Sequence, residues 1–357
     1  MTGEGTLSNG QPAKNSTLPW VEKYRPTTLD DVVAHEEILD TTRRLMNSGS
    51  MPHLLFYGPP GTGKTTTIKA CAHHLFGKER LRANVLEMNA SDDRGIDVVR
   101  QQVREFASTS SIFFQNNPGN QTVTNFKLVI LDEADQMSSD AQAALRRIIE
   151  KFTKNVRFCI LCNHINKIIP ALQSRCTRFR FSPVKKSAML PRLKLIAREE
   201  GVPFTDEGLI SAFRLSDGDM RRCLNTMQAS SMSAGEITEE SVYRTTGNPT
   251  PTDVRVMVGD MLSHNYATSW EKVQQLVVDK GVSTADLVRE VHLIVMAMDL
   301  PQDCKCFLLI KLADVEYYAA GGTREMINIG GVLGAFQLVK EALTQNKPIF
   351  ELAGGLC

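Results

Sequence analysis

A parallel β-sheet covered by helices, followed by two all-helical units, is the fold class this sequence predicts, and three observations predict it. Short apolar runs at residues 53–57, 85–88, 127–131 and 156–161 alternate with helical stretches, the pattern of an α/β layer architecture. The first run leads into a glycine-rich turn and then a helical stretch at 65–75, the strand, loop, helix order of a nucleotide-binding unit. After Ser182-Pro183 the strand pattern stops and only helical periodicity continues.

Taken in order, residues 1–17 are mostly Gly, Ser, Thr, Asn and Lys with almost nothing to bury, and they predict a flexible tail. The first globular unit is expected over 18–183. Between its strands, Ile96, Val99, Val103 and Phe106 recur at spacings of three and four and predict an amphipathic helix over 96–107, with Arg94, Arg100 and Arg104 off the apolar stripe. Residues 115–125, rich in Asn, Gln, Gly and Thr, predict an exposed loop or insertion. A strand-like stretch at 178–181 ends the unit. Helices at 188–200, 207–214 and 219–230 make a small second unit over 184–248, and Asn248-Pro249-Thr250-Pro251 breaks it from a third helical unit over 249–357. No repeat of 20 to 50 residues is visible.

At 357 residues the chain exceeds the roughly 100 to 200 of a common domain, so two or three units fit its length. Its 42% apolar and 23% charged residues suit a globular core and argue against a disordered or coiled-coil chain. Lys and Arg number 41 against 40 Asp and Glu, a net charge of +1, so any nucleic-acid surface must be local. No run approaches the roughly 20 apolar residues of a membrane span, and the start lacks a signal peptide's apolar core, which predicts an intracellular protein with no membrane partner. The 8 cysteines do not form a disulfide framework. Cys159 and Cys162 make one C-x-x-C, but in a strand they face opposite ways, so buried thiols are expected rather than a zinc site.

The chemistry concentrates at strand ends. Gly58-Pro59-Pro60-Gly61-Thr62-Gly63-Lys64-Thr65 satisfies G-x-x-x-x-G-K-[ST] between a strand and a helix. Its glycines let backbone N–H groups turn toward phosphate oxygens at a helix start. Lys64 would reach the β- and γ-phosphates of ATP and Thr65 would ligate Mg²⁺, with Thr66 the next residue of the same turn. The strand at 127–131 ends in Asp132-Glu133-Ala134-Asp135, which suits Mg²⁺ at Asp132 and an attacking water at Glu133. Alone, such an acidic cluster is a solvated helix start; beside the phosphate loop it reads as catalytic. Asn163 closes the next strand, where its amide can hold the hydrolytic water. Arg175, in Ser174-Arg175-Cys176, can project from a sheet edge, and Arg221, in Gly218-Asp219-Met220-Arg221-Arg222, can reach back to the phosphates. The D-E-A-D string also occurs in RNA helicases, but no second motor half of similar length is present.

These motifs, with Trp20-Val21-Glu22-Lys23-Tyr24-Arg25-Pro26 ahead of them and Asn89-Ala90-Ser91-Asp92-Asp93-Arg94-Gly95-Ile96-Asp97 between them, occur in the order found in AAA+ clamp-loader subunits. From about Leu18 to the C-terminal helices the chain resembles the small subunits of eukaryotic replication factor C. That resemblance implies an AAA+ P-loop domain, a helical lid and a C-terminal collar within a nuclear heteropentamer. Such an assembly binds ATP between neighbouring subunits, opens a sliding clamp and loads it onto primer-template DNA without sequence preference. It further implies that Val21, Tyr24, Arg25 and Pro26 line the adenine side of the pocket, that Asn163 and Arg221 act as sensors, and that Arg175 is a finger entering a neighbour's site. Ala34 stands where many relatives have Gly. Arg94, Arg100 and Arg104 would meet DNA phosphates or else form a solvated helix face, and Ile112, Phe113 and Phe114 would face the clamp as an apolar anchor or else belong to a core strand. Two other readings share the fold: an ATP-binding scaffold that mainly donates Arg175, and a strand-translocating ATPase. The intact Glu133 favours hydrolysis over the first, and the missing aromatic stacking series disfavours the second. Membership of a related loader with a different large subunit stays open at this level.

Overall fold

The computed structural model describes residues 18–48, 51–90, 96–108 and 126–353, the side chains of 96–100 excepted. The tail at 1–17, Arg94, the Arg100 side chain, Ile112, Phe113, Phe114 and the stretch 115–125 lie outside the described residues. The chain divides into two compact units, one made of Met1–Pro203 and Ala212–Gln228, the other of Phe204–Ser211 and Ala229–Cys357.

The first unit is built on five strands, β1 (Leu54–Tyr57), β2 (Val85–Asn89), β3 (Lys127–Asp132), β4 (Val156–Cys162) and β5 (Thr177–Arg180). All pair in parallel, in the order β2-β3-β4-β1-β5. Because the strands are parallel and β4 lies between β1 and β3, the loops leaving all three open side by side at the same carboxyl edge, where ligands of open α/β sheets bind. Alternation along each strand fills two separate cores. Leu54, Phe56, Leu128, Ile130, Cys159 and Leu161 face one layer; Leu55, Val129, Leu131, Phe158, Ile160 and Cys162 face the other. The two thiols of the C-x-x-C therefore belong to different cores, and burial pushes the Cys162 thiol up to about 12. Truncating one of these fully buried side chains to Ala would cost about 2–5 kcal/mol.

Helix α1 (Trp20–Lys23) is a single turn, and α2 (Glu36–Asn47) follows. The sequence reading missed α2, although Ile38, Leu39, Leu45 and Met46 share one face and acids stand in its first turn. It starts at His35, whose left-handed φ of 65° takes the strained position of this turn, so Ala34 has no need of glycine's freedom. Helix α3 (Lys64–Asn84) breaks at Gly77, just past the predicted end at residue 75. Next come α4 (Ile96–Ser108), with Val103 and Ala107 buried and Arg104 exposed, α5 (Ser139–Phe152), α6 (Pro170–Gln173) and α7 (Lys186–Glu199). His53 pins β1 to β4: its Nδ1 accepts the Phe158 N–H at 3.1 Å, and burial, then the Arg157 charge, depress its pKa to about 4.

Next in sequence are α8 (Asp206–Ser216) and α9 (Met220–Ala234). The named elements that follow in the second unit are helices, α10 (Glu239–Thr246), α11 (Pro251–Ser263), α12 (Tyr266–Lys280), α13 (Thr284–Ala297), α14 (Gln302–Ala320), α15 (Glu325–Gln345) and α16 (Ile349–Leu352). The side chains of Thr250, Asn265 and Ser283 accept backbone N–H groups and so cap α11, α12 and α13. Val254, Met257, Met261, Val291, Phe307, Leu308, Leu333 and Phe336 form one continuous core. No described helix is long and apolar enough to cross a membrane.

Candidate nucleotide-binding site

The turn after β1 is built by steric necessity. Gly58 has φ 147°, and a Cβ there would lie 1.9 Å from the Phe181 carbonyl oxygen. Gly61 has φ 65°, and a Cβ there would lie 1.6 Å from Asp219 Oδ1. Only glycine lets the loop pass between β5's exit and the start of α9. Asp219 in turn accepts the Arg222 N–H at 3.0 Å, and the Met220 N–H donates to the Gly61 carbonyl at 3.2 Å. The turn at residues 218–221 is thus fastened directly to the phosphate loop.

Lys64 begins α3 and is buried, with its ammonium donating to the carbonyls of Gly58 at 2.7 Å and Pro59 at 2.8 Å and to Asn163 Oδ1 at 2.9 Å. Burial draws its pKa below the ordinary lysine value, against the opposing pull of the Asp132 carboxylate. The Thr65 hydroxyl donates to Asp132 Oδ2 at 2.9 Å, bringing the loop and the β3 terminus together. Glu133 follows with a left-handed φ of 53° and is exposed. Such a backbone is costly for a residue with a side chain. Asp135 is buried, and its Oδ2 accepts the His164 N–H at 3.2 Å, which sets the turn that carries Asn163.

These groups open on a cleft of about 1200 Å³, its solvent-open part included. Pro60, Gly61, Thr62, Gly63, Lys64, Thr65 and Thr66 line it from the loop, Asp132, Glu133 and Asn163 from the strand ends, and Arg221 from α9. Val21, Tyr24, Arg25 and Pro26 line it from the N-terminal segment. Gly58 and Pro59 do not line it; their carbonyls hold Lys64 from behind. Arg175 is also outside it, paired with Glu150 of α5.

Some lining groups were not anticipated from the sequence. Val32, Val33, Arg192, Ile196 and Leu224 are among them and form part of the wall. Glu200, at the end of α7, accepts from Lys23 Nζ at 2.6 Å and from Tyr24 Oη at 2.5 Å, while Arg192 Nη2 donates to the Tyr24 carbonyl at 3.4 Å. Burial opposes the charge on Glu200, but the bonds from Lys23 and Tyr24 outweigh it and hold the carboxyl below its usual range. Burial first, and then Glu200, push the Tyr24 phenol well above its usual value. A signal existed in the sequence: Glu199-Glu200 places acid at a helix C-terminus, where the helix dipole disfavours it unless a cation is near.

Residues 54–184 match the family described as ATPase family associated with various cellular activities (AAA), and residues 249–335 match the replication factor C C-terminal domain. The chain is 48% identical over 331 residues to replication factor C subunit 5 of Mus musculus, covering 93% of this chain and 95% of the mouse protein. It is 46% identical over 344 residues to replication factor C subunit 3 of Oryza sativa subsp. japonica, covering 95% and 93%. It is 45% identical over 327 residues to replication factor C subunit 3 of Blastobotrys adeninivorans, covering 91% and 94%. The stretch Ala171-Leu172-Gln173-Ser174-Arg175-Cys176-Thr177-Arg178-Phe179-Arg180-Phe181 resembles the subunit numbered 3 in plants and yeast, and relatives numbered 3 and 5 both match the chain. With this similarity running through nearly the whole length of each relative, the chain belongs to the replication factor C subunit family and is an ATP-binding AAA ATPase.

Proposed function

We propose that the chain is an ATP-hydrolysing subunit of a nuclear heteropentameric clamp loader that opens the sliding clamp and loads it onto primer-template DNA. The observation that carries this reading is the convergence of Lys64, Thr65, Asp132, Glu133, Asn163 and Arg221 on one cleft while Arg175 stands outside it. That arrangement suits a subunit that hydrolyses its own nucleotide and also serves a neighbour's. In this reading residues 18–183 are the nucleotide-binding domain, 184–248 the lid and 249–357 the collar that assembles the ring.

The placement of the described groups supports a role for each of them. Lys64 neutralises β- and γ-phosphate charge, and the N–H groups of the loop hold the phosphate oxygens. The hydroxyl of Thr65 and the carboxylate of Asp132, 2.9 Å apart, are the hard oxygen donors that Mg²⁺ requires. When bound, that ion supplies charge neutralisation across the β- and γ-phosphates. Glu133 orients a water in line with the γ-phosphorus and draws on its proton as the bond to the leaving ADP oxygen breaks. Asn163 holds that water, Arg221 stabilises phosphate charge from the α9 side, and Val21, Tyr24, Arg25 and Pro26 enclose the adenine. Arg94, Arg100 and the exposed Arg104 are assigned to DNA phosphates, and Ile112, Phe113 and Phe114 to the clamp.

Purification of the tagged chain from its own cells tests the assembly. The expected co-purifying proteins are the other replication factor C subunits, with sliding clamp retained when ATP is present. A chain recovered alone or with a different motor overturns the reading. Replacing Phe113 and Phe114 together by Ser should weaken clamp retention while sparing ATP binding and assembly; normal retention removes those residues from the clamp surface.

A further inference from the structure

The Arg175 side chain is not free to sample solvent. It leaves the segment between α6 and β5, and its Nη1 donates to the Ala171 carbonyl at 2.8 Å and reaches Ser174 Oγ at 3.5 Å. Its Nη2 meets Glu150 Oε1 at 2.5 Å. Glu150 sits in the last turn of α5 and is held from one turn earlier by Arg146, whose Nε lies 3.1 Å from the same oxygen. Lone ion pairs at a surface contribute little, but here one carboxylate bridges two guanidinium groups and the second of them is also tied to backbone. Arg175 and Glu150 keep 32% and 43% of their side-chain surface exposed, so the pair is accessible to another molecule.

A guanidinium has five N–H donors in a rigid fork. The contacts to Ala171, Ser174 and Glu150 use only part of that set, so donors remain to meet a phosphoryl group. A long side chain held on two sides loses little further freedom when it meets a target, and that pre-organisation is what a group acting on a transition state requires. We propose that Glu150 is a positioning residue for Arg175: the Arg146–Glu150–Arg175 network sets the guanidinium in the orientation from which it enters the nucleotide site of a neighbouring subunit. The inference rests on the finger role assigned to Arg175 above. It extends that role to α5, a helix that does not line this chain's own cleft.

The experiment uses the complete assembled loader, with the phosphate loops of all but the neighbour's site inactivated, and reads single-turnover ATP hydrolysis at that site. Arg175→Ala is expected to slow it by about 10³-fold or more. Glu150→Ala is expected to slow it by about 10- to 100-fold, the scale of a small misplacement of a catalytic group, without changing the neighbour's ATP affinity. Glu150→Gln, which retains an acceptor oxygen but not the charge, should lose less. It also carries the test if the alanine variant fails to assemble. In the Arg175→Ala background, Glu150→Ala should have no further effect, because a positioning residue has nothing left to position. If Arg175→Ala slows hydrolysis while both Glu150 variants do not, the positioning role is wrong and the finger stands. A Glu150 effect that persists undiminished without Arg175 also refutes the positioning role. If Arg175→Ala leaves the rate unchanged, the finger reading falls and the inference falls with it.

Discussion

Glu200→Ala separates the wall of the nucleotide cleft from its floor. The Glu200 carboxylate receives Lys23 Nζ and Tyr24 Oη, and these side-chain bonds help fasten the N-terminal segment to the end of α7. A hydrogen bond to a charged group contributes about 1.5–3 kcal/mol when well shielded. Lys23 and Glu200 keep 20% and 17% of their side-chain surface, so solvent screening reduces the pair of bonds to about 2 kcal/mol in total. If the segment must be docked for Val21, Tyr24, Arg25 and Pro26 to enclose the base, that loss weakens ATP binding by up to about 30-fold. The phosphate contacts are untouched, so inorganic triphosphate should bind the variant as it binds the wild type. Equilibrium titration of the folded chain with labelled ATP and with triphosphate reads both quantities. The pH dependence has a fixed sign. The folded carboxyl lies below its ordinary 4.5, so its contribution is complete above that value and is lost as pH falls through the folded pKa. An ATP affinity within about twofold of wild type, with the segment still docked, would refute the reasoning, because Glu200 would then be only a surface acid. Equal losses for ATP and triphosphate would refute it differently, by placing the damage in the phosphate loop.

Lys64→Ala should leave the fold intact but lower ATP affinity by more than tenfold, about the worth of one charge-assisted contact, which labelled-ATP binding will read. Glu133→Gln keeps shape and hydrogen-bonding capacity, so it should bind ATP normally and trap it uncleaved; an unchanged single-turnover rate would remove the water-orienting role. His53 is buried neutral with a pKa depressed to about 4 from 6.5, so between these values the unfolded chain binds more protons and stability rises with pH, levelling off above 6.5. Denaturation midpoints measured across that window should show the slope in the wild type and a smaller one in His53→Gln. Gly58→Ala forces a Cβ to within 1.9 Å of backbone and should yield little folded protein, whereas Gly63→Ala, with nothing within 4 Å, adds only the strain of its φ of 95°.

What could be read from the sequence was chemistry carried by neighbours in the chain. The loop at residues 58–65, the acids after β3, and the break at residues 248–251 are contiguous patterns, and local backbone geometry alone gives them meaning. Alternation along β1, β3 and β4 likewise assigned Cys159 and Cys162 to different faces before any packing was known. Helix α2 was legible in principle, but its stripe of four apolar residues is thin among charges. Tertiary structure alone decided the rest. Glu200 meets Tyr24 across 176 residues, Asp219 closes on Gly61, and Glu150 takes hold of Arg175. Each depends on where whole helices come to lie against the sheet, and that follows from the packing of the cores rather than from any short run of residues. The strand order is of the same kind. A parallel sheet could be foreseen from alternating elements, but only side-chain packing places β4 between β1 and β3 and so brings Lys64, Asp132 and Asn163 to one edge.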